Sequence, residues 1–243
     1  MWYTDDMAVI RPFRALRPDP ARVALEHLVA EATTTSARVA VARSVDPRHL
    51  GWLLTATADE GPGASFAVAD LVRSGILVRD ALPSLTVVRL TRDGAEQTCL
   101  FAALRADADA DVGAEVAPGA PPTVDVAAMP AIVRFKDKKG RIVRAIEAEL
   151  EREPDAAFTL NGSQVETWVL DDESAAARIA SLLEGSTLRL DDGSTPAWAA
   201  YRGQPHPDPW ALACFVDDDA ETVGVPAGLC LLPLRGPLHL PQS

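Results

Sequence analysis

Apolar and polar positions along the chain alternate in short runs that predict strands and helices in mixed order. Asp19 can cap a helix whose first position is Pro20 and whose pattern runs to about Ala32. Residues 38–42 alternate as a strand does, and Asp46-Pro47 opens a second helix to about Ala58. Gly61-Pro62-Gly63 breaks it, and residues 64–74 read as a third helix ended by Gly75. Residues 85–90 and 96–104 are apolar-rich strands, and Arg92-Asp93-Gly94 between them supplies the turn of a hairpin.

From Ala106 to Pro122 the composition shifts to Asp, Ala, Gly and Pro, which predicts an exposed connection. The chain then divides into an N-terminal α/β lobe (8–105), a connection (106–130) and a C-terminal α+β lobe (131–243). The second lobe reads strand (131–135), helix (141–152), strand (164–170), helix (173–183), strand (187–190), short helix (near 196–201) and two strands (210–216 and 228–232). That order predicts an α+β protein with two mixed lobes, not regular βαβ repetition. No repeat of fixed period is present.

Composition narrows the class. The 243 residues are 48% hydrophobic and 24% charged, enough to bury one sizeable core or two small ones. A formal charge of -12 repels nucleic-acid phosphates and anionic membranes, so neither is an expected partner. Cys99, Cys214 and Cys230 lie in apolar runs without a C-x-x-C pair, which predicts buried, reduced thiols and a cytoplasmic protein. The opening residues lack a cationic stretch followed by an apolar one, and no window is long and apolar enough to span a bilayer.

Familiar catalytic motifs are absent from the sequence: no G-x-x-x-x-G-K-[ST] loop, G-x-G-x-x-G turn, G-x-S-x-G elbow or H-E-x-x-H helix. The four histidines are scattered, so no metal site is expected. Asp107-Ala108-Asp109-Ala110-Asp111 begins like a calcium loop, but Val112 and Pro118 replace its Gly and bidentate Glu, leaving a solvated acidic loop. Asp217-Asp218-Asp219 reads the same way, and Lys136-Asp137-Lys138-Lys139-Gly140 reads as an exposed turn capped by Gly140. The segment 188–196 runs from a strand through Asp191-Asp192-Gly193 into a helix start at Ser194-Thr195-Pro196. Such a start is either an ordinary capped helix or a set of free backbone N–H groups able to hold an anion.

Several separated phrases, taken together, resemble one large bacterial and archaeal group, the domain of unknown function 1015 family. Ile10-Arg11-Pro12-Phe13-Arg14-Ala15-Leu16-Arg17-Pro18 resembles the family's opening I-x-P-F-x-x-L-R-P phrase, and residues 74–83, with Gly75, Asp80 and Pro83, resemble its G-x-L-x-x-D-x-x-P phrase. Residues 161–170 are similar to its D-G-x-x-H-x-L-W strand, and Gly228-Leu229-Cys230-Leu231-Leu232-Pro233 to its closing G-L-x-[IL]-L-P strand. The phrases keep the family's order over nearly the whole chain.

The departures fall on the chemistry. Where the family carries D-G-H-H-R, this chain has Asp192-Gly193-Ser194-Thr195-Pro196; its H-E-x-T phrase is reduced to Ala114-Glu115-Val116-Ala117; its closing Thr-His becomes Leu234-Arg235. The D-G-H-H-R turn is itself similar to the nucleotide site of ParB-type proteins, sulfiredoxin and free-serine kinases. The resemblance therefore implies a ParB/sulfiredoxin-like second lobe and a kinase-like, small-molecule phosphotransferase ancestry. For this chain it implies a truncated pseudoenzyme acting as a binding or partner protein, joined to an intact relative or to itself. The alternative is an enzyme of altered chemistry on a serine-like small molecule, with Glu115 or Asp192 as base and Gly193, Ser194 and Thr195 holding phosphate, its cofactor ATP or ADP with magnesium. Apolar residues 231–234 and Leu238 would then mark an interface if exposed.

Overall fold

The computed structural model describes residues 9–22, 30–32, 70–105, 126–127, 130–191, 210–220 and 224–233. Its centre is the hairpin foreseen at Asp93-Gly94. Strands β5 (Leu85–Arg92) and β6 (Ala95–Arg105) pair antiparallel around a two-residue turn in which Asp93 (φ 52°) and Gly94 (φ 82°) both take the left-handed conformation that matches strand twist.

The run Cys99-Leu100-Phe101-Ala102-Ala103-Leu104 in β6 is buried at every position. A strand apolar on both faces needs neighbours on both edges and a layer over each face. Along one edge β6 pairs first with β5, over residues 95–101, and then directly with β1 (Ile10–Arg11), Ile10 lying opposite Leu104. On the other edge it carries β12 (Trp210–Asp217) over residues 99–105. Next come β8 (Ala131–Lys136), parallel to β12, and β11 (Thr187–Leu190), antiparallel to β8. Beyond β5 lie β10 (Ser163–Leu170) and β9 (Ala156–Leu160), completing an eight-stranded sheet ordered β11-β8-β12-β6-β5-β10-β9 with β1 off that path. The chain is thus α+β. Strands from both sides of residues 106–130 share this sheet through β6 and β12, so that connection does not divide the hydrogen bonding.

Among the described residues, two helices cover one face. Helix α1 (Arg141–Glu149) buries Ile142 and Ile146, and α2 (Glu173–Glu184) buries Ala176, Ile179, Ala180 and Leu183. Asp172 starts α2 by accepting from the Ala175 N–H at 2.8 Å, and Gly185 ends it. Trp168 fixes which face this is: its indole donates to the Arg152 carbonyl just past α1, at 3.0 Å. The opposite face carries Gln97, Cys99 and Cys214, and is covered by residues 224–232, tied down where Gln97 donates to the Gly224 carbonyl at 3.0 Å.

Four sequence expectations change. The helix expected from Asp19 does not reach Ala32. The Asp19 carboxylate accepts from the Ala21 N–H and the chain turns to Arg22; residues 23–29 lie outside the described residues, and β3 (Ala30–Ala32) pairs with β13 (Val225–Ala227), where a ladder partner overrides the helix propensity of Ala-Glu-Ala. Helix α1 stops at Glu149, three residues early, because the Leu150 N–H turns to Glu147 and Arg152 is drawn to Asp155 and Trp168. The strand expected at 228–232 is mostly a bend, with Gly228 at φ 88°; only the Leu231 bridge to Leu16 and β14 (Leu232–Pro233), paired with β7 (Val126–Ala127), are extended. Leu231 and Leu232 are buried, so they mark no exposed interface; Leu234 and Leu238 lie outside the described residues.

Among the described residues, six short strands went unforeseen, β1, β2 (Leu16–Pro18), β4 (Leu77–Arg79), β7, β9 and β13. Strand β9 closes a second hairpin through Asn161 (φ 49°) and Gly162 (φ 84°), and β2 pairs with β4 outside the main sheet. Residues 70–73 are helical, and Gly75 (φ 71°) follows, as expected for the end of the 64–74 helix; the expected elements at 38–42, 46–58 and 196–201 lie outside the described residues.

Phe215 lies fully buried at the middle of β12, in the core beneath the helices. Phe215→Ala should lower unfolding free energy by about 3–5 kcal/mol, read as a lower urea midpoint at unchanged slope.

Candidate functional site

Beside the segment flagged in sequence, β8, β11 and the end of β12 bring charged side chains together on the Cys99 face of the sheet. Alternation along β8 puts Arg134 and Lys136 on one side, and the register places Arg189 of β11 directly opposite Arg134. Two guanidinium groups in that position repel, so each needs a carboxylate. Arg134 Nε donates to Asp191 Oδ2 at 3.0 Å, and this pair is more enclosed than the other two of the ladder, with side chains 13% and 16% exposed. Arg189 Nη2 donates to Asp218 Oδ1 at 3.0 Å, and Lys136 Nζ lies 3.8 Å from Asp218 Oδ2. Asp217-Asp218-Asp219 is therefore not a purely solvated loop: Asp218 closes this charged ladder, while Asp217 accepts from the Asp219 N–H and shapes the turn.

Asp192, Gly193, Ser194 and Thr195 follow Asp191 directly but lie outside the described residues, as does Glu115. The structure does describe where the chain departs toward them. The Asp191 N–H donates to the Ile132 carbonyl at 2.9 Å, near the start of β8. Since β11 runs against the parallel pair β8 and β12, the chain leaves the sheet away from that pair's carboxyl ends, where open α/β sheets hold ligands.

The turn after β8 has the strand-turn-helix form that receives anions, and its own side chain fills it. Asp137 accepts from the backbone N–H groups of Arg141 (2.9 Å), Ile142 (2.7 Å) and Val143 (3.0 Å), while Gly140 (φ 60°) lets the chain turn tightly enough to aim them. Lys138 and Lys139 are exposed as expected, but the cap of α1 is the Asp137 carboxylate, not Gly140 alone. Partial burial would raise the Asp137 pKa, but bonds from Val143, Arg141, Ile142 and Lys139 prevail and hold it below the ordinary 3.8.

A second polar cluster joins two phrases 63 residues apart, both of which carry the family resemblance. Arg17 Nε meets both Asp80 oxygens at 2.8 and 2.9 Å, Arg17 Nη2 donates to Ser84 Oγ at 3.0 Å, and Ser84 Oγ donates to Asp80 Oδ2 at 2.9 Å. Each polar group here has a partner within the triad, which pins β2 against the chain leading from β4 into β5. Cys230 lies near this triad and Thr86; burial pushes its thiol up to about 11, and the Arg17 charge only partly opposes that. Burial and the Cys99 thiol likewise raise Cys214. All three cysteines are buried and unbridged, as expected, and the raised values leave Cys214 and Cys230 as thiols, poor nucleophiles at neutral pH.

No family model, curated protein or solved structure gives a significant match to this chain. The family resemblance accordingly stands on the phrases quoted above. Among the described residues no cluster of three or more His, Cys, Asp or Glu could hold a metal ion, and no helix is long and apolar enough to cross a membrane.

Sequence reasoning missed Arg134, Arg189, Asp191 and Asp218 as a group. The signal was present as charged residues at alternate positions of otherwise apolar strands, but the pairing of β8 with β11 was needed to join them.

Asp137→Ala should cost about 1–2 kcal/mol near neutral pH through loss of the helix cap. A folded pKa below the unfolded one means the stabilisation is complete above 3.8 and disappears as pH falls through the folded value. Chemical denaturation of both proteins from neutral to acid pH should show their difference shrinking at the acid end.

Proposed function

We propose that this chain is a non-catalytic, degenerate relative of a nucleotide-dependent phosphotransferase, acting as a binding or partner protein in the cytoplasm. One observation supports this reading above the others: the described places suited to an anion hold the chain's own carboxylates. Asp137 fills the start of α1, Asp172 caps α2, and Asp191 and Asp218 take up Arg134, Arg189 and Lys136. Phosphoryl transfer rests on cations and N–H groups aimed at charge that develops on phosphate. Groups already committed to internal carboxylates supply little of that, and the D-G-H-H-R cations of the family are replaced by Ser194, Thr195 and Pro196.

The reading is tested with ATP and ADP, each with and without magnesium. A nucleotide at about 100 times its dissociation constant adds roughly 2.7 kcal/mol, a melting shift of about 5–10 °C for a chain of this size. The expected result is no shift and no phosphate transfer to serine. Magnesium-dependent turnover lost in Glu115→Gln, or a shift lost in Asp192→Asn, would establish instead an enzyme working through those residues.

A further inference from the structure

The two outer strands of the main sheet are protected differently. At one edge β11 carries Arg189 at its centre, a charge that discourages a further strand from adding there. At the other edge β9 reads Ala156-Ala157-Phe158-Thr159-Leu160, with neither charge nor proline. The two-residue turn at Asn161-Gly162 makes Leu160 and Ser163 a hydrogen-bonded pair, so Phe158 and Val165 form the next and Ala157 and Thr159 turn their N–H and C=O groups outward. Both residues are exposed, and no backbone hydrogen bond among the described residues engages those groups.

We propose that β9 pairs antiparallel with β9 of a second copy, giving a two-fold dimer through a continuous sheet. The sequence of β9 is complementary to itself in one register. With Phe158 opposite its own copy, Ala157 of each chain faces Thr159 of the other, and these outward groups exchange the backbone bonds. Ala156 meets Leu160, so apolar side chains meet on the face where Phe158 is only half-covered by its own core. Beyond the strand Asp155 faces Asn161, so no like charges oppose one another. The register also has natural limits. The Asp155 N–H bonds back to the Thr167 carbonyl at 2.8 Å, bending the chain off the ladder, and Pro154 precedes it. An isologous contact closes at two copies. With five residues a side it falls below the area of a permanent interface, so the dimer is weak and concentration-dependent. The inference rests on the edge geometry and stands apart from the proposed function.

Sedimentation of the full chain over about a hundredfold range of concentration should show a reversible monomer–dimer equilibrium. Thr159→Pro, which removes an outward N–H, and Ala157→Lys, which places a charge on the edge, should both remain monomeric while melting cooperatively. The register has its own readout. Opposed residues at a non-hydrogen-bonded position have Cα atoms about 4.5 Å apart, within the span of about 4.4–6.8 Å that a disulfide bridges. Phe158→Cys should therefore cross-link to itself under oxidised glutathione, which takes up the two thiol hydrogens, whereas Ala156→Cys should not. A wild-type chain monomeric throughout would overturn the proposal. So would dimers that survive in both edge variants, assemblies larger than two, or equal cross-linking of both cysteine variants.

Discussion

The structure depends on the burial of β6 on both faces. Six consecutive apolar residues, Cys99 to Leu104, cannot rest on a half-solvated sheet, so this strand must lie inside, with β5 and β1 along one edge and β12 along the other. Everything else is placed by that requirement. Helices α1 and α2 cover the face that carries Trp168, and residues 224–232 cover the face that carries Cys99. Gln97, buried at the start of the same strand, satisfies its amide on Gly224 and so fixes the second cover to the first strand that needs it.

The same requirement separates what the sequence made legible from what it did not. The β5–β6 hairpin was readable because two apolar runs flank a Gly turn, and α2 because an Asp cap, a 3.6-residue apolar period and a terminal Gly agree. Strand β9 escaped although Asn161-Gly162 is a strong hairpin signal, because Ala-Ala-Phe-Thr-Leu is short and its alternation weak. Residues 30–32 read as helix because Ala-Glu-Ala favours helix locally, whereas pairing with Val225–Ala227 is a contact nearly two hundred residues away that no local pattern reports. Of the candidate site, the phrases holding Arg17 and Asp80 were visible as separate fragments, and only the fold made them one ion pair.

The charged groups follow a consistent scheme despite the chain's excess of acid. Arg134 and Arg189 face each other across two strands, and carboxylates beyond the ends of β11 and β12 separate them. Arg89 sits 5.3 Å from the Trp168 ring and pairs with Glu96 and Glu166 on adjacent strands. Partly exposed pairs of this kind contribute little individually. Their effect is on register: a slip of one residue in β11 would carry Arg189 to the face held by Leu188 and leave Arg134 opposite an apolar side chain.

Asp137 shows why local geometry is a poor guide to anion binding. The turn after β8 has what a phosphate site has: a glycine in the left-handed region, a helix start and converging N–H groups. Yet the carboxylate that receives those bonds comes from the same turn, at high effective concentration and without loss of translational freedom. Hydrogen bonds to a charged group are each worth about 1.5–3 kcal/mol, so a phosphate would have to replace three of them while lying against the carboxylate it displaced. Repulsion between the two anions adds to that cost. A helix start therefore receives a ligand only where the chain withholds its own acid, and the position of Asp137 decides between the two uses before any ligand is considered.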